Sequence, residues 1–150
     1  MFLHPTNSTE IVNIIKNLKE GSPGWDNIGA KVIKECIDIF IDPLTHIVNL
    51  SLSNGIFPKE LKVAIVLPLF KAGDGSVFTN YRPVSILSVI SKVFEKRFYK
   101  RLLDFVHLNK LINVYQFGFR QQHSTYMALL ILIEKITSAL EKGEVVIWLF

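Results

Sequence analysis

Two runs of strand-forming residues, 63–70 and 81–87, face each other across ten residues that suit neither run. The first run is aliphatic except for Pro68. The intervening stretch from Lys71 to Asn80 is polar and carries Asp74-Gly75 at its centre, a pair suited to tight turns. The spacing predicts an antiparallel hairpin with its tip at residues 72–79. Proline lacks the N–H that a strand ladder uses, so Pro68 marks the first strand as an edge or as bulged near its end. The rest of the chain has to pack around this ribbon.

Elsewhere the apolar period is helical. Ile11, Ile14, Ile15 and Leu18 fall at i, i+3, i+4 and i+7, one stripe of a helix. Its start is expected at Ser8 or Thr9, whose hydroxyls can cap free N–H groups, and Gly21 with Ser22-Pro23-Gly24 ends it. A second helix is expected over 30–39, burying Val32, Ile33, Cys36 and Ile37. A third opens at Pro43, because a first-turn proline forfeits no hydrogen bond, and stops at Asn54-Gly55. A long helix covers about residues 88–105, with Val93, Phe94, Phe98, Leu102 and Phe105 on its apolar face. After a loop through Asn109 and Asn113, a last helix is capped at Ser124 or Thr125 and closed by Gly143. The continuous apolar run 145–150 has the pattern of a strand buried on both faces. The fold class is α/β in the broad sense, of the α+β kind.

Composition narrows the function classes. Hydrophobic residues make up 49% of 150 and mean hydropathy is +0.33, too apolar for a disordered segment. The longest uninterrupted apolar run, residues 126–133, is far shorter than the about 20 residues that span a bilayer. The first residues lack the charged start and long apolar stretch of a signal peptide. Cys36 stands alone, so no internal disulfide can form and a reducing, intracellular setting is expected. His4, His46, His107 and His123 lack the paired spacing of a zinc site. The net charge of +4 is unevenly spread: residues 59–123 hold eleven Lys and Arg against four Asp and Glu, whereas the flanks are mildly acidic. A basic middle suits contact with phosphates.

The cations with chemical promise sit at the turns. Lys71 and Arg82 flank the hairpin tip, so both can face one anion, the lysine as a point charge and the arginine as a planar fork. Without further context such a pair is an ordinary surface feature. Gln116 and Arg120 can donate to phosphate or sugar oxygens, and Gly118 leaves room for a strand of nucleic acid to approach the backbone. Lys92, Lys96 and Lys100 repeat every fourth residue, with Arg97 and Arg101 one step round. That row reads either as a stripe tracking a nucleic-acid backbone or as the solvated face of an amphipathic helix. Among the aromatics, Tyr81 is the candidate to face a nucleotide because it adjoins Arg82, while Phe117, Phe119 and Tyr115 suit a core.

Taken in order, these blocks resemble a known family. Ser22-Pro23-Gly24, then 67–87 with Lys71, Gly73, Asp74 and Asn80-Tyr81-Arg82-Pro83, then Gln116-Phe117-Gly118-Phe119-Arg120 with Ser124-Thr125, resemble the reverse transcriptases of non-LTR retrotransposons. The first block departs from the family pattern, with Trp25 where a proline and Asn27 where a glycine is usual, though asparagine also tolerates positive φ.

The resemblance implies the helix-rich fingers portion of a right-hand polymerase. Residues 1–58 would be an N-terminal helical extension, 59–143 the fingers and 144–150 the start of the first palm strand, with the remaining palm and the thumb missing. It implies that Lys71 and Arg82 contact the phosphates of an incoming deoxynucleoside triphosphate and that Gln116, Gly118 and Arg120 hold the template. Implied partners are an RNA template and a DNA primer, with no membrane, and the nucleus is implied by the family alone. The family binds two Mg2+ ions through palm aspartates. The aspartates here, Asp26, Asp38, Asp42, Asp74 and Asp104, include no Asp-Asp pair. No catalytic residue, metal ligand or cofactor is therefore assigned to this chain. Mg2+ belongs to a full-length parent, and the chain alone is expected not to polymerise. The alternative is a non-catalytic nucleic-acid-binding remnant of a decayed element. A further expectation is that the strand 145–150, lacking a sheet to enter, leaves the chain unstable by itself.

Overall fold

The computed structural model describes residues 4–147, in two compact units, Met1–Phe105 and Val106–Phe150. The first helix, α1, is Ser8–Lys16, and its cap is Asn7, one residue before the first of the two expected caps. Asn7 accepts from the Glu10 N–H at 2.8 Å and the Glu10 carboxylate accepts from the Asn7 N–H at 3.4 Å. This reciprocal box satisfies two donors at once, which a lone Ser8 hydroxyl could not do. Ser8 turns instead to Asp42.

The next two helices divide differently from the expectation. Helix α2 is Ala30–Glu35 and α3 is Ile37–Asn54, with the break at Cys36 rather than ahead of Pro43. Pro43 lies inside α3, where it removes one backbone donor. The carbonyl left without that donor belongs to Ile39, which is 81% exposed and can turn to water. Packing of Ile37, Leu44, Thr45 and Val48 along one side holds the helix through the proline. Ile33 and Ile37 are buried as expected, but Val32 points to solvent and Cys36 is only half-buried. Gly55, at a φ of 66°, ends α3 in the left-handed region.

The hairpin forms in continuous register, β1 (Ala64–Phe70) antiparallel to β2 (Tyr81–Leu87), with Phe70 opposite Tyr81 and Pro68 opposite Pro83. No bulge interrupts it. The Lys71 N–H donates to the Asn80 carbonyl at 2.8 Å, so residues 71, 69 and 67 point their N–H groups inward. Residue 68, and residue 83 across from it, would point theirs outward. Both prolines therefore cost the ladder nothing and delete a donor from each outer edge.

Helix α4 is Val89–Leu108 and presents Val89, Val93 and Phe94 to the core. There they meet Ile11, Ile15, Ile33, Ile37 and Val48 from the earlier helices. Phe98 and Leu102, expected on the same face, are exposed, and Phe105 is half-buried. Gly24 is buried against the start of α4: a Cβ on it would lie 2.6 Å from the Ser88 backbone N and Cα. Only glycine lets the two backbones come this close. The turn that follows keeps its geometry, with Asn27 at a φ of 56° and the Asn27 N–H on the Gly24 carbonyl.

An ion cluster ties the N-terminal segment to α4. Arg97, only 1% exposed, donates to Glu10 Oε2 at 2.6 Å, and Arg101 reaches the same oxygen at 3.5 Å and the Pro5 carbonyl at 2.9 Å. The Thr6 hydroxyl donates to that oxygen too. Burial pushes the Glu10 carboxyl up, but Thr6, Arg97, the Asn7 N–H and Arg101 outweigh it and hold it below the usual carboxylate range. Burial lowers Arg97 from its ordinary value, partly offset by Glu10.

In the second unit, α5 is Thr125–Glu141, capped by Ser124 on the Met127 N–H, with Gly143 following at a φ of 70°. No residue from 106 to 147 is buried. The strand expected over 145–150 is not formed in residues 145–147, where Val145 and Ile147 are exposed, and 148–150 lie outside the described residues.

Candidate nucleotide and nucleic-acid interface

Strand pleating decides which hairpin residues share a face. Arg82 stands opposite Leu69, and Lys71 continues the same alternation two residues on. Lys71 and Arg82 are therefore diagonal neighbours on one face, about 7–8 Å apart by the usual spacing of such positions. Both are exposed, and neither side chain has a hydrogen bond or ion pair within the described residues. The strand residues that share this face, Leu67, Leu69 and Val84, are apolar and offer the two cations no counter-charge.

The tip between them is built, not loose. Asp74 accepts from the Ser76 N–H at 2.9 Å and the Ser76 hydroxyl at 2.8 Å, and these bonds hold its carboxyl below the usual range. The Asn80 side-chain amide donates to the Asp74 carbonyl at 2.8 Å. It also fills the space beside Gly73, whose φ of 95° few other residues adopt. Tyr81 donates its hydroxyl to the Gly75 carbonyl at 2.9 Å, with its ring edge-on to Phe70. Neighbouring strand residues point to opposite faces, so Tyr81 lies on the reverse side of the ribbon from Arg82. Its geometry is that of a brace for the tip. Asn80 and Tyr81, already marked in the sequence by the Asn80-Tyr81-Arg82-Pro83 run, are structural contributors: Asn80 directly precedes β2 and Tyr81 opens it.

The second unit presents Gln116, Gly118 and Arg120 on one loop. The Asn113 side chain accepts from the Tyr115 N–H at 2.9 Å, and the Gln116 N–H donates to the Asn113 carbonyl. The Arg120 guanidinium turns back to the Gln116 carbonyl at 3.2 Å and more distantly to Asn113. Lys135 stacks over the Tyr115 ring at 4.1 Å. Phe119 is fully exposed at a φ of 61°, so it is not the core residue its type suggested. Gly118 has no positive φ, and nothing within 4 Å would meet a Cβ there. Neither packing nor backbone conformation within the described residues requires glycine at this position.

Among the described residues no three His, Cys, Asp or Glu side chains gather as a metal site. The described residues thus offer no donor set for the two-metal centre implied by the resemblance. No helix of the described residues is long and apolar enough to cross a membrane.

The hairpin of the first unit exposes Lys71 and Arg82, and the loop of the second, by itself, exposes Gln116 and Gly118. No protein-family model matches the chain. Curated proteins do match it along nearly its whole length. It is 35% identical over 144 residues to a probable RNA-directed DNA polymerase from transposon BS of Drosophila melanogaster, covering 95% of this chain and 16% of that protein. The RNA-directed DNA polymerases from mobile element jockey are 32% identical in D. melanogaster and 31% in D. funebris, over 94% and 93% of this chain and 16% of each relative. The chain is thus a homologue of one segment of the RNA-directed DNA polymerases of non-LTR transposons, and spans about 16% of the length of these relatives.

Proposed function

We propose that this segment supplies nucleotide-phosphate and template contacts to an RNA-directed DNA polymerase. The observation that carries the reading is the Lys71–Arg82 pair, uncompensated on one face of a ribbon whose tip is braced at both ends. A triphosphate laid along that face would meet a point charge and a planar fork without reorganising the turn. Tyr81 would act by holding the tip in place. Gln116 would donate to the template backbone, which would pass close to Gly118, and Arg120 would keep the loop's carbonyls in order. In this reading residues 59–143 are fingers and 1–58 an N-terminal helical extension. The palm and its two Mg2+ ions belong to the longer parent, together with the RNA template, the DNA primer and a nuclear site of action.

The test is binding of a deoxynucleoside triphosphate to the 150-residue chain, followed by calorimetry against the matching unphosphorylated nucleoside. The triphosphate should bind in preference, and Lys71→Ala with Arg82→Ala should abolish the preference. Equal binding by the double variant and the parent chain would sink the proposal.

A further inference from the structure

A groove of about 270 Å³ lies between α1 and α4, lined by Glu10, Asn13, Asn17, Lys96, Arg97 and Lys100. Its only carboxylate is paired with two arginines through one of its oxygens. Glu10 Oε2 already accepts from Thr6, the Asn7 N–H, Arg97 and Arg101. Arg97 and Arg101 thus leave the surface row in which the sequence placed them and turn toward Glu10. Lys96 and Lys100 are different: both are exposed, and neither has an ion pair among the described residues. They stand one helical turn apart on the same side of α4. Across from them, the exposed Asn13 amide has no side-chain partner, while Asn17 spends one amide hydrogen on the Asn13 carbonyl at 2.8 Å.

The free groups of this groove are therefore mainly donors, arranged along an axis and not around a point. Lys92, four residues before Lys96, extends the same line. A single small anion could engage one end only. A polymer with an anionic oxygen at every repeat can engage the whole row. We propose that the α1/α4 groove binds the phosphodiester backbone of a single-stranded nucleic acid, at a surface distinct from the Lys71–Arg82 face. The choice of nucleic acid among polyanions rests on the polymerase reading above; the cationic row does not.

The experiment is a titration of a labelled single-stranded oligouridylate with the 150-residue chain, by fluorescence anisotropy over a range of salt concentrations. Each phosphate contact on a single strand contributes about 0.7 to the slope of log affinity against log salt. Lys96→Ala with Lys100→Ala should flatten that slope by about 1.4 and weaken binding, with the melting temperature and triphosphate binding unchanged. An unchanged slope overturns the groove as a binding surface. So does displacement of the oligonucleotide by inorganic phosphate at matched ionic strength, which would make the site a single-anion pocket. A slope lost in Lys71→Ala/Arg82→Ala but kept in the lysine pair would also overturn it, by placing the backbone on the hairpin. Triphosphate binding that ignores the hairpin variants, beside a slope that obeys the groove variants, would defeat the nucleotide reading and leave this one standing.

Discussion

The two units use their apolar side chains to opposite effect. In the first, Ile11, Ile15, Val48 and Val93 are almost wholly removed from water and converge from three helices. In the second, α5 carries Tyr126, Met127, Leu129, Leu130 and Ile133 and buries none of them. Apolar content is a property of residues, whereas a core needs stripes that meet. Helix α1 has such a stripe, narrow enough to leave Asn13, Lys16 and Asn17 outside. The apolar residues of α5 include neighbours such as Leu129, Leu130 and Ile131, which spread round the helix and cannot all face one way.

The contrast should be plainest at charge. Glu10→Ala leaves the buried Arg97 guanidinium without its partner and should cost about 3–5 kcal/mol in denaturant unfolding of the first unit. Glu134→Ala on α5 should stay within about 0.5 kcal/mol. Comparable losses in the two would erase the distinction. At apolar positions the gap narrows. Ile15→Ala should cost about 2–5 kcal/mol, and Ile133→Ala, half exposed, less than about 1 kcal/mol. Thermal melts of the pair would show whether α5 draws any stability from packing.

The glycines offer a subtler comparison. Gly24→Ala forces a methyl into the Ser88 backbone and should cost about 1–3 kcal/mol. Gly118→Ala enters open space and should change stability by less than about 0.5 kcal/mol, yet weaken template binding if a strand passes there. Side-by-side melts and oligonucleotide titrations separate the two roles.

The smallest effect concerns acid. The Glu10 carboxyl is lowered in the folded state from an ordinary value of 4.5. Its contribution is therefore complete above that value and is lost as the pH falls through the lower folded one. Glu10→Gln should flatten the stability profile of the first unit below about pH 4.5, at some cost at neutral pH. A profile of unchanged shape would mean that other carboxylates govern acid unfolding.

The hairpin was legible in the sequence, apart from the bulge that Pro68 allowed for, because the polar tip and the two strand-forming runs are local signals. The ends of α5 were legible for the same reason, through Ser124 and Gly143. What escaped was set by tertiary contact. Pro43 reads as a helix start, and only the burial of Ile37 and Leu44 on either side shows why the helix runs through it. Arg97 reads as one more surface cation. Its place eight residues after Val89 and four after Val93 puts it on the buried face, and Glu10 three residues after Asn7 offered the partner. Lys71 and Arg82 were identifiable as a pair by spacing. The pleat that puts Tyr81 behind them follows from register, which needs the ladder itself.

The facing prolines of the ribbon have a consequence for how this molecule can meet copies of itself. The hairpin exposes Val66, Leu67, Leu69 and Phe70, a surface that invites association. Amyloid-like growth, however, proceeds by stacking one strand's donors on the next, and each flank here lacks a donor near its middle. Clustering driven by this ribbon would thus join face to face, reversibly, without recruiting new β-structure.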